Sequence, residues 1–294
     1  MNTNGAVLPA LERETICPVC KSASTSRLFE KRGIPYLRCR SCDFRFATPA
    51  VNANLSNRLD QYEQAYLQYL GPDPANLVNF EALCTWITRF HSLQGARLLD
   101  VGAGGGTLVR YLRDRGVRAE GLEPSAPLYS HFLADDPAFT KGDLAGFLSA
   151  RSEGFDIVTA FDVLEHVANP VSFLQEAASA LTAGGILCLS TPDVGSPAAR
   201  LTGRRWHFYN QYHLSLFSPD TLARAAASAG LMLVDCSHRG RRRSVGYMLR
   251  YGFQFVFGAR TPRWAAAMDA LYVDVNLFDT LYACLRRSDA AGAA

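Results

Sequence analysis

The sequence predicts an α/β protein: a doubly wound, mostly parallel sheet behind a small N-terminal module closed by four cysteines. Three observations carry this. Short apolar runs alternate with helical periodicities from about residue 97 to residue 237, the rhythm of a parallel sheet with crossover helices. The first of those runs, Leu98-Leu99-Asp100-Val101, ends in Gly102-Ala103-Gly104-Gly105-Gly106, a glycine-rich turn that leads into a helix. Ahead of it, Cys17-Pro18-Val19-Cys20 and Cys39-Arg40-Ser41-Cys42 repeat one CxxC pattern.

The cysteine module comes first in the chain. Two CxxC turns separated by about 15–20 residues match the spacing of a four-thiolate zinc site. Cys17, Cys20, Cys39 and Cys42 are its expected ligands, with a structural ion in place of the core that so short a segment lacks. Arg27-Leu28-Phe29 and Tyr36-Leu37-Arg38 read as strands between the pairs. We assign a zinc-ribbon to residues 1–50, and a linker with N-terminal helices to 51–95. Across that boundary, 48–57 is rich in Asn, Pro and Ala and reads as a linker; 59–70 carries Tyr62, Tyr66 and Tyr69 at helical spacings; a second helix is expected over 75–91. Cys84, Cys188, Cys236 and Cys284 stand singly in apolar segments and read as ordinary thiols.

The principal domain spans 96–290. After the glycine turn, strands are expected at 118–122, ending on Glu123, at the run closing on Lys141, at 155–160 and at 186–190. Between the last two, Asn169-Pro170 opens a helix that Gly184-Gly185 should end. The dinucleotide fingerprint GxGxxG/A fails in both registers, with Thr107 or Val109 in the last position, and no phosphate loop is present. What fits is DxGxGxG, from Asp100 through Gly102, Gly104 and Gly106.

Here the sequence resembles the class I S-adenosylmethionine methyltransferases, over roughly residues 75–290. The likeness is to the group holding ubiquinone-biosynthesis O-methyltransferases and many small-molecule and sugar methyltransferases. It is carried by LLDVGAGGGTL (98–108), GLEPS (121–125), KGDL (141–144), FDIVTAFDVLEHVANP (155–170) and LTAGGILCLSTPD (181–193). The resemblance implies a Rossmann-like sheet of seven strands with an antiparallel last strand, which Asp279–Arg286 would supply after a strand at 231–237. It implies S-adenosylmethionine as cofactor, held by Asp100, Gly102, Gly104, Glu123, Asp143, Leu144 and the main chain near Phe161. Glu123 can take both ribose hydroxyls with its two oxygens, and Asp143 the adenine amino group.

On the acceptor side, His166 follows Glu165 just past the fourth strand, and His213 lies in Trp206-His207-Phe208-Tyr209-Asn210-Gln211-Tyr212-His213. Both are candidate catalytic bases, since histidine titrates near neutrality; either could instead brace its loop. Residues 238–277 read as an insertion: Arg239, Arg241, Arg242 and Arg243, then Tyr247, Met248, Tyr251, Phe253, Phe255 and Phe257. It is expected to form a helical cap over the acceptor pocket with a solvated basic entrance. It also suits an anionic acceptor, such as a phosphate-bearing sugar carrier, or peripheral membrane contact through 239–258.

The composition narrows the function. A 48% hydrophobic and 19% charged chain can build a core, and its net charge of +3 lacks the basic surplus of a nucleic-acid binder. No apolar run reaches the ~20 residues of a membrane span, and Met1–Ala10 has no signal-peptide pattern, so the expected compartment is the cytoplasm. The expected function is S-adenosylmethionine-dependent methyl transfer to a small molecule, for instance a sugar or other hydroxylated metabolite. The alternatives are a non-catalytic zinc-ribbon adaptor that keeps the fold, and an NAD-dependent oxidoreductase.

Overall fold

A computed structural model describes residues 15–47, 74–253 and 261–288. The linker at 48–57, the helix with Tyr62, Tyr66 and Tyr69, Phe255 and Phe257, and the tail beyond Ser288 fall outside the described residues.

The chain begins with three antiparallel strands, β1 (Thr25–Lys31), β2 (Ile34–Cys39) and β3 (Arg45–Ala47). Arg32 and Gly33, both at positive φ (54° and 76°), make the two-residue turn between β1 and β2. Positive φ at both central positions gives the turn the twist of its flanking strands.

After α1 (Pro74–Ile87), strands and helices alternate: β4 (Arg97–Val101), α2 (Thr107–Arg113), β5 (Arg118–Glu123), α3 (Ala126–Phe132), β6 (Phe139–Lys141), α4 (Leu144–Ser149), β7 (Phe155–Phe161), α5 (Pro170–Ser179) and β8 (Leu181–Pro192). The helix starts were written locally. Ser125, Asp143 and Asn169 cap α3, α4 and α5 by accepting the amides of Leu128, Gly146 and Ser172. Proline in the first turn of α3 and α5 loses no helical hydrogen bond there.

One expectation fails in this stretch. Gly184-Gly185 does not end the helix; α5 stops at Ser179, and both glycines lie inside β8. Gly184 takes φ 78°, and the β7–β8 register shifts between Phe155 and Ile157. The glycine pair makes an irregularity in a strand that starts earlier than periodicity suggests.

The chain continues through α6 (Pro197–Thr202), β9 (Ser215–Leu216), α7 (Pro219–Ser228), β10 (Leu231–His238), β11 (Arg241–Ser244), α8 (Val245–Tyr251), β12 (Tyr272–Val275) and β13 (Thr280–Arg287). The principal sheet has the order β10-β13-β8-β7-β4-β5-β6. Its central pairs are parallel, and β13 runs antiparallel to both β8 and β10, as the seven-stranded expectation required.

Alternate residues of the buried strands serve two cores. Leu98, Ile157, Cys188 and Cys284 pack with Trp86, Val109 and Leu112 on the α1/α2 face. Leu99, Val158, Leu187 and Leu189 pack with Leu174, Leu222 and Ala225 on the α5/α7 face. Burial on both faces explains why these strands are continuously apolar instead of alternating. Cys188 and Cys284 are buried thiols opposite each other on adjacent strands; Cys84 and Cys236 are half-buried.

Two features relate the outer pieces to this body. β3 pairs with β9, so the N-terminal strands and a segment of the principal domain form one four-stranded sheet. The insertion is partly β: the arginine triplet is strand β11, paired with β12, followed by the short helix α8. Among the described residues no helix is long and apolar enough to cross a membrane.

Candidate functional site

The C-terminal ends of β4, β5 and β7 converge on the glycine turn. Gly102 sits at φ 74°, and a Cβ there would meet Val163 Cγ2 at 2.6 Å, so both conformation and space require glycine. Gly104, at φ 56°, faces open space where its Cβ would be, which leaves room for a ligand against the main chain. The Glu123 carboxylate organises the turn: Oε2 accepts from the Gly104 amide (2.7 Å) and Oε1 from the Ser125 amide (2.8 Å). A carboxylate has about four lone-pair sites, so it can accept further hydrogens while bracing the loop.

Behind the turn, Asp100 is buried and accepts from Thr159 Oγ1 at 2.6 Å. Burial, assisted by the negative charge of Glu123, pushes its carboxyl up to about 7 against the pull of Thr159. A cavity of about 300 Å³ opens beside the turn, lined by Gly102, Leu122, Asp143, Leu144, Val163 and Phe173 among others. Asp143 borders it but uses Oδ1 to cap α4 through Gly146 N at 2.8 Å. A larger depression of about 530 Å³ runs along Arg113–Glu120, where β5 begins; it holds none of the residues singled out from the sequence.

These residues fit an adenosyl group: an acid over a glycine turn for a diol, and apolar walls from Val101, Leu122, Leu144 and Val163 for a planar base. Phe161 ends β7 nearby, its ring 6.2 Å from that of Tyr282.

Past β7 the chain does something no residue pattern announced. Asp162 adopts φ 56°, a left-handed conformation uncommon outside glycine. Its amide donates to Ser190 O and Oγ, and its carboxylate accepts from Ser190 Oγ (2.6 Å) and from Arg241 Nη1 and Nη2 (2.9 and 3.1 Å). Burial pushes this carboxyl up, but Arg241 outweighs it and holds Asp162 well below the usual carboxylate range. Arg241 also donates to the Tyr282 hydroxyl. The expected solvated basic entrance is corrected at Arg241, which is anchored inward on Asp162; Arg242 pairs with Asp274 at 2.9 Å with both side chains exposed, and Arg243 lies over the Tyr247 ring. A planar, bidentate donor folds inward when a carboxylate waits at the right depth.

The two histidines do come together. Their rings meet edge to face at 4.8 Å, and with Glu165 they bring a carboxylate oxygen and two ring nitrogens within 4.8 Å of one another. His166 Nδ1 lies 3.0 Å from Tyr212 O and His213 Nδ1 2.9 Å from Phe208 O. A carbonyl can only accept, so Nδ1 carries the hydrogen in each ring and Nε2 keeps its lone pair. Burial lowers His166, and burial with the neighbouring His166 lowers His213 well below the ordinary histidine value. Glu165 is raised well above its ordinary value by burial and by Asp162, and its Oε2 meets no hydrogen-bond partner among the described residues. Such a set can be satisfied by one proton on Glu165 or shared by a divalent cation.

The four N-terminal cysteines also converge. Cys17 and Cys42 Sγ are 3.7 Å apart, Cys20 and Cys39 Sγ 3.4 Å, and all four lie within 4.8 Å of one another. Zn–S bonds of about 2.3 Å in a tetrahedron place sulfurs roughly 3.8 Å apart, so the cluster has the dimensions of a Cys₄ site. The knuckles match: Lys21 after Cys20 and Asp43 after Cys42 both take positive φ, and their amides donate to Cys17 O and Cys39 O. Burial pushes the Cys39 thiol up, but the amides of Cys42 and Ser41 bring it to about 7.

Thr159, Asp162, Ser190, Asn210 and Arg241 were missed from the sequence. All five lie inside segments that the sequence singled out, and Arg241 was named there as part of a basic cluster, but no pattern of residue types marked the roles they take.

Comparison with known proteins agrees with this geometry. Residues 78–235 match a family model described as a methyltransferase domain. The ubiquinone biosynthesis O-methyltransferase of Methylobacterium sp. (strain 4-46) is 30% identical over 190 residues, covering 60% of this chain and 70% of that protein. Its counterpart from Chelativorans sp. (strain BNC1) is 30% identical over 183 residues, covering 53% and 71%. Two solved structures share the fold. One is magnesium protoporphyrin IX methyltransferase from Synechocystis PCC 6803 with bound S-adenosylhomocysteine (TM-score 0.50, 13% identity, 81% of this chain and 98% of that one). The other is the complex between the Haloferax volcanii Trm112 methyltransferase activator and the putative methyltransferase (TM-score 0.52, 17% identity, 82% and 99%). A family model spanning more than half of the chain, over a seven-stranded sheet with its one antiparallel strand in the expected place, identifies the protein as a class I S-adenosylmethionine-dependent methyltransferase.

Proposed function

We propose that this methyltransferase modifies a hydroxyl group on a small molecule, such as a sugar or another hydroxylated metabolite, with His213 as the base. The observation that carries the reading is His213 Nδ1 placed 2.9 Å from Phe208 O, which leaves the Nε2 lone pair for a proton; burial and the neighbouring His166 favour the neutral ring. A hydroxyl must lose its proton as it is methylated, and a positioned base contributes roughly 10²–10⁴-fold. The relatives named as ubiquinone biosynthesis O-methyltransferases support an oxygen acceptor.

The cofactor, when bound, supplies an electrophilic methyl group on a sulfonium. The protein's part is alignment and exclusion of water. Glu123 would receive the ribose hydroxyls while it holds the Gly104 amide; Gly104, open where a Cβ would stand, would let the ligand lie against the main chain, and Gly102 makes the turn that Val163 closes from the other side. Leu144 and Asp143 border the adenine end, Asp143 with the oxygen left over from capping α4. Asp100 sets the turn from beneath through Thr159. His166 stands beside His213 and supports it, its own Nδ1 bound to Tyr212 O.

In the same reading, Cys17, Cys20, Cys39 and Cys42 hold a structural zinc ion, and four thiolates leave no position for a reacting water. An anionic acceptor, or membrane contact through 239–258, has less support than the arginine triplet suggests, because Arg241 and Arg242 already face carboxylates. The test is methyl transfer from radiolabelled S-adenosylmethionine to a panel of catechols and sugars, by the wild type and by His213→Asn. Transfer to a hydroxyl that the variant loses supports the reading. Transfer to nitrogen or carbon, or an unaffected variant, overturns it.

A further inference from the structure

The segment from Trp206 to Leu216 has almost no regular structure between its first turn and β9, yet it is clamped from two sides. The cysteine module supplies one side of the clamp, beside Val194 and Ala199 of the principal domain, which pack with Trp206 and Tyr209. Arg45 and Phe46 pair with Leu216 and Ser215, and the Ala47 amide donates to Leu214 O at 2.8 Å. Lys31 Nζ donates to Trp206 O (2.9 Å), the Tyr36 hydroxyl to Asn210 O (2.6 Å) and Arg45 Nη1 to the Tyr209 hydroxyl (3.1 Å). The Tyr209 ring packs edge-on against Phe29 (4.8 Å) and Tyr36 (4.9 Å), while Phe44 lies 5.0 Å from Phe217.

On the inner side, Asn210 Oδ1 accepts from the amides of Tyr212 (2.9 Å) and His213 (3.2 Å), and His213 Nδ1 donates to Phe208 O. Asn210 is thus the hinge of the arrangement: its carbonyl is held by the module and its side chain holds His213. The module cannot hold its half alone. It has fewer than forty described residues, and Cys17, Cys39 and Cys42 are buried where β1, β2 and the two CxxC turns meet, so the order of that end depends on what joins those sulfurs.

We propose that the cysteine module is the positioning element of the acceptor-side loop, with Tyr36 and Arg45 acting through Asn210 and Tyr209 to fix His213. Metal loading then governs the geometry of the acceptor site and leaves the cofactor site, built on β4 and β5, unchanged. This rests on the reading of His213 as the base, but its test does not require the acceptor.

The experiment compares full-length, zinc-loaded protein with chelator-stripped protein and with Tyr36→Phe and Arg45→Ala, both zinc-loaded. Hydrogen exchange reports on 206–216 and on the 98–108 turn, ring ¹⁵N shifts report the His213 tautomer, and calorimetry gives the Kd for S-adenosylhomocysteine. Expected are an increase of about tenfold or more in exchange across 206–216, a mixed His213 tautomer in place of the Nδ1–H form, and a Kd changed less than twofold. The point variants should show the same pattern, weaker than in stripped protein. Unchanged loop exchange and an unchanged His213 signal on metal removal would overturn the proposal. So would equal loss of protection at 98–108, which marks general destabilisation. Failure of the zinc-loaded wild type to bind S-adenosylhomocysteine would sink the cofactor reading alone, because the exchange and tautomer data still decide this one.

Discussion

The guanidinium of Arg241 meets the Asp162 carboxylate with two contacts, at 2.9 and 3.1 Å, and thereby ties the insertion to the end of β7. The residue at the carboxylate end is held in a left-handed backbone conformation by Ser190, so the pair is built into the sheet's rim and is not a loose surface bridge. Several measurable consequences come from this and from the neighbouring sites.

Removing the guanidinium leaves Asp162 without its main partner. Because the two side chains keep 25% and 46% of their exposure, solvent softens the loss, and Arg241→Ala is expected to destabilise by about 2 kcal/mol. Arg241→Lys should restore less than half, since an ammonium cannot bridge both carboxylate oxygens. Asp162 is depressed in the folded protein, so the pair's contribution is present above its ordinary value and fades as pH falls below about 4. Urea unfolding of wild type and variant at neutral and acid pH checks both statements: the gap should close on acidification.

Asp100 behaves in the opposite sense. Burial raises its carboxyl to about 7, so the folded protein holds a proton there that the unfolded chain releases near 4. The stability this proton confers is complete below about pH 4 and is lost as pH rises through about 7. Asp100→Asn should therefore gain in melting temperature over the wild type as pH increases across that window, with no further gain above it. A difference that stays constant with pH contradicts the assignment.

His213 can be separated from a bracing role by one substitution. Asparagine can keep a donor for Phe208 O yet has no counterpart of Nε2. If the ring is the base, His213→Asn folds with the same melting temperature and loses roughly 10²-fold or more in kcat. Because burial and His166 lower its pKa, the wild-type rate should stay level well below the ordinary histidine range and fall only in more acid solution. A decline centred near 6.5 would point to a different group.

Much of this was readable from residue order, for a physical reason. The glycine turn, the acid closing β5 and the capped helix starts are local devices, each fixed by neighbours a few positions away, and Asp100, Gly102, Gly104 and Glu123 all fall where the motifs put them. The CxxC pairs announce a cluster because two ligands per turn is a local geometry. Gly184-Gly185 misled because glycine marks a bulge as readily as a helix end. Arg241 misled for a deeper reason: whether an arginine faces water or a carboxylate depends on Asp162, far away in sequence and aimed by a backbone angle that no residue type declares. Likewise β3–β9 pairing joins segments whose strands are too short to show periodicity.

The cofactor site is tested most directly by calorimetric titration of the zinc-loaded protein with S-adenosylhomocysteine, wild type beside Glu123→Ala. Micromolar binding is expected for the wild type. A loss of about 2–4 kcal/mol, roughly 30- to 1,000-fold in Kd, is expected for the variant, as the ribose and the Gly104 amide lose their acceptor together. Absence of binding to the wild type, or equal affinity in the variant, would contradict the assignment of Glu123 and the glycine turn as the cofactor site.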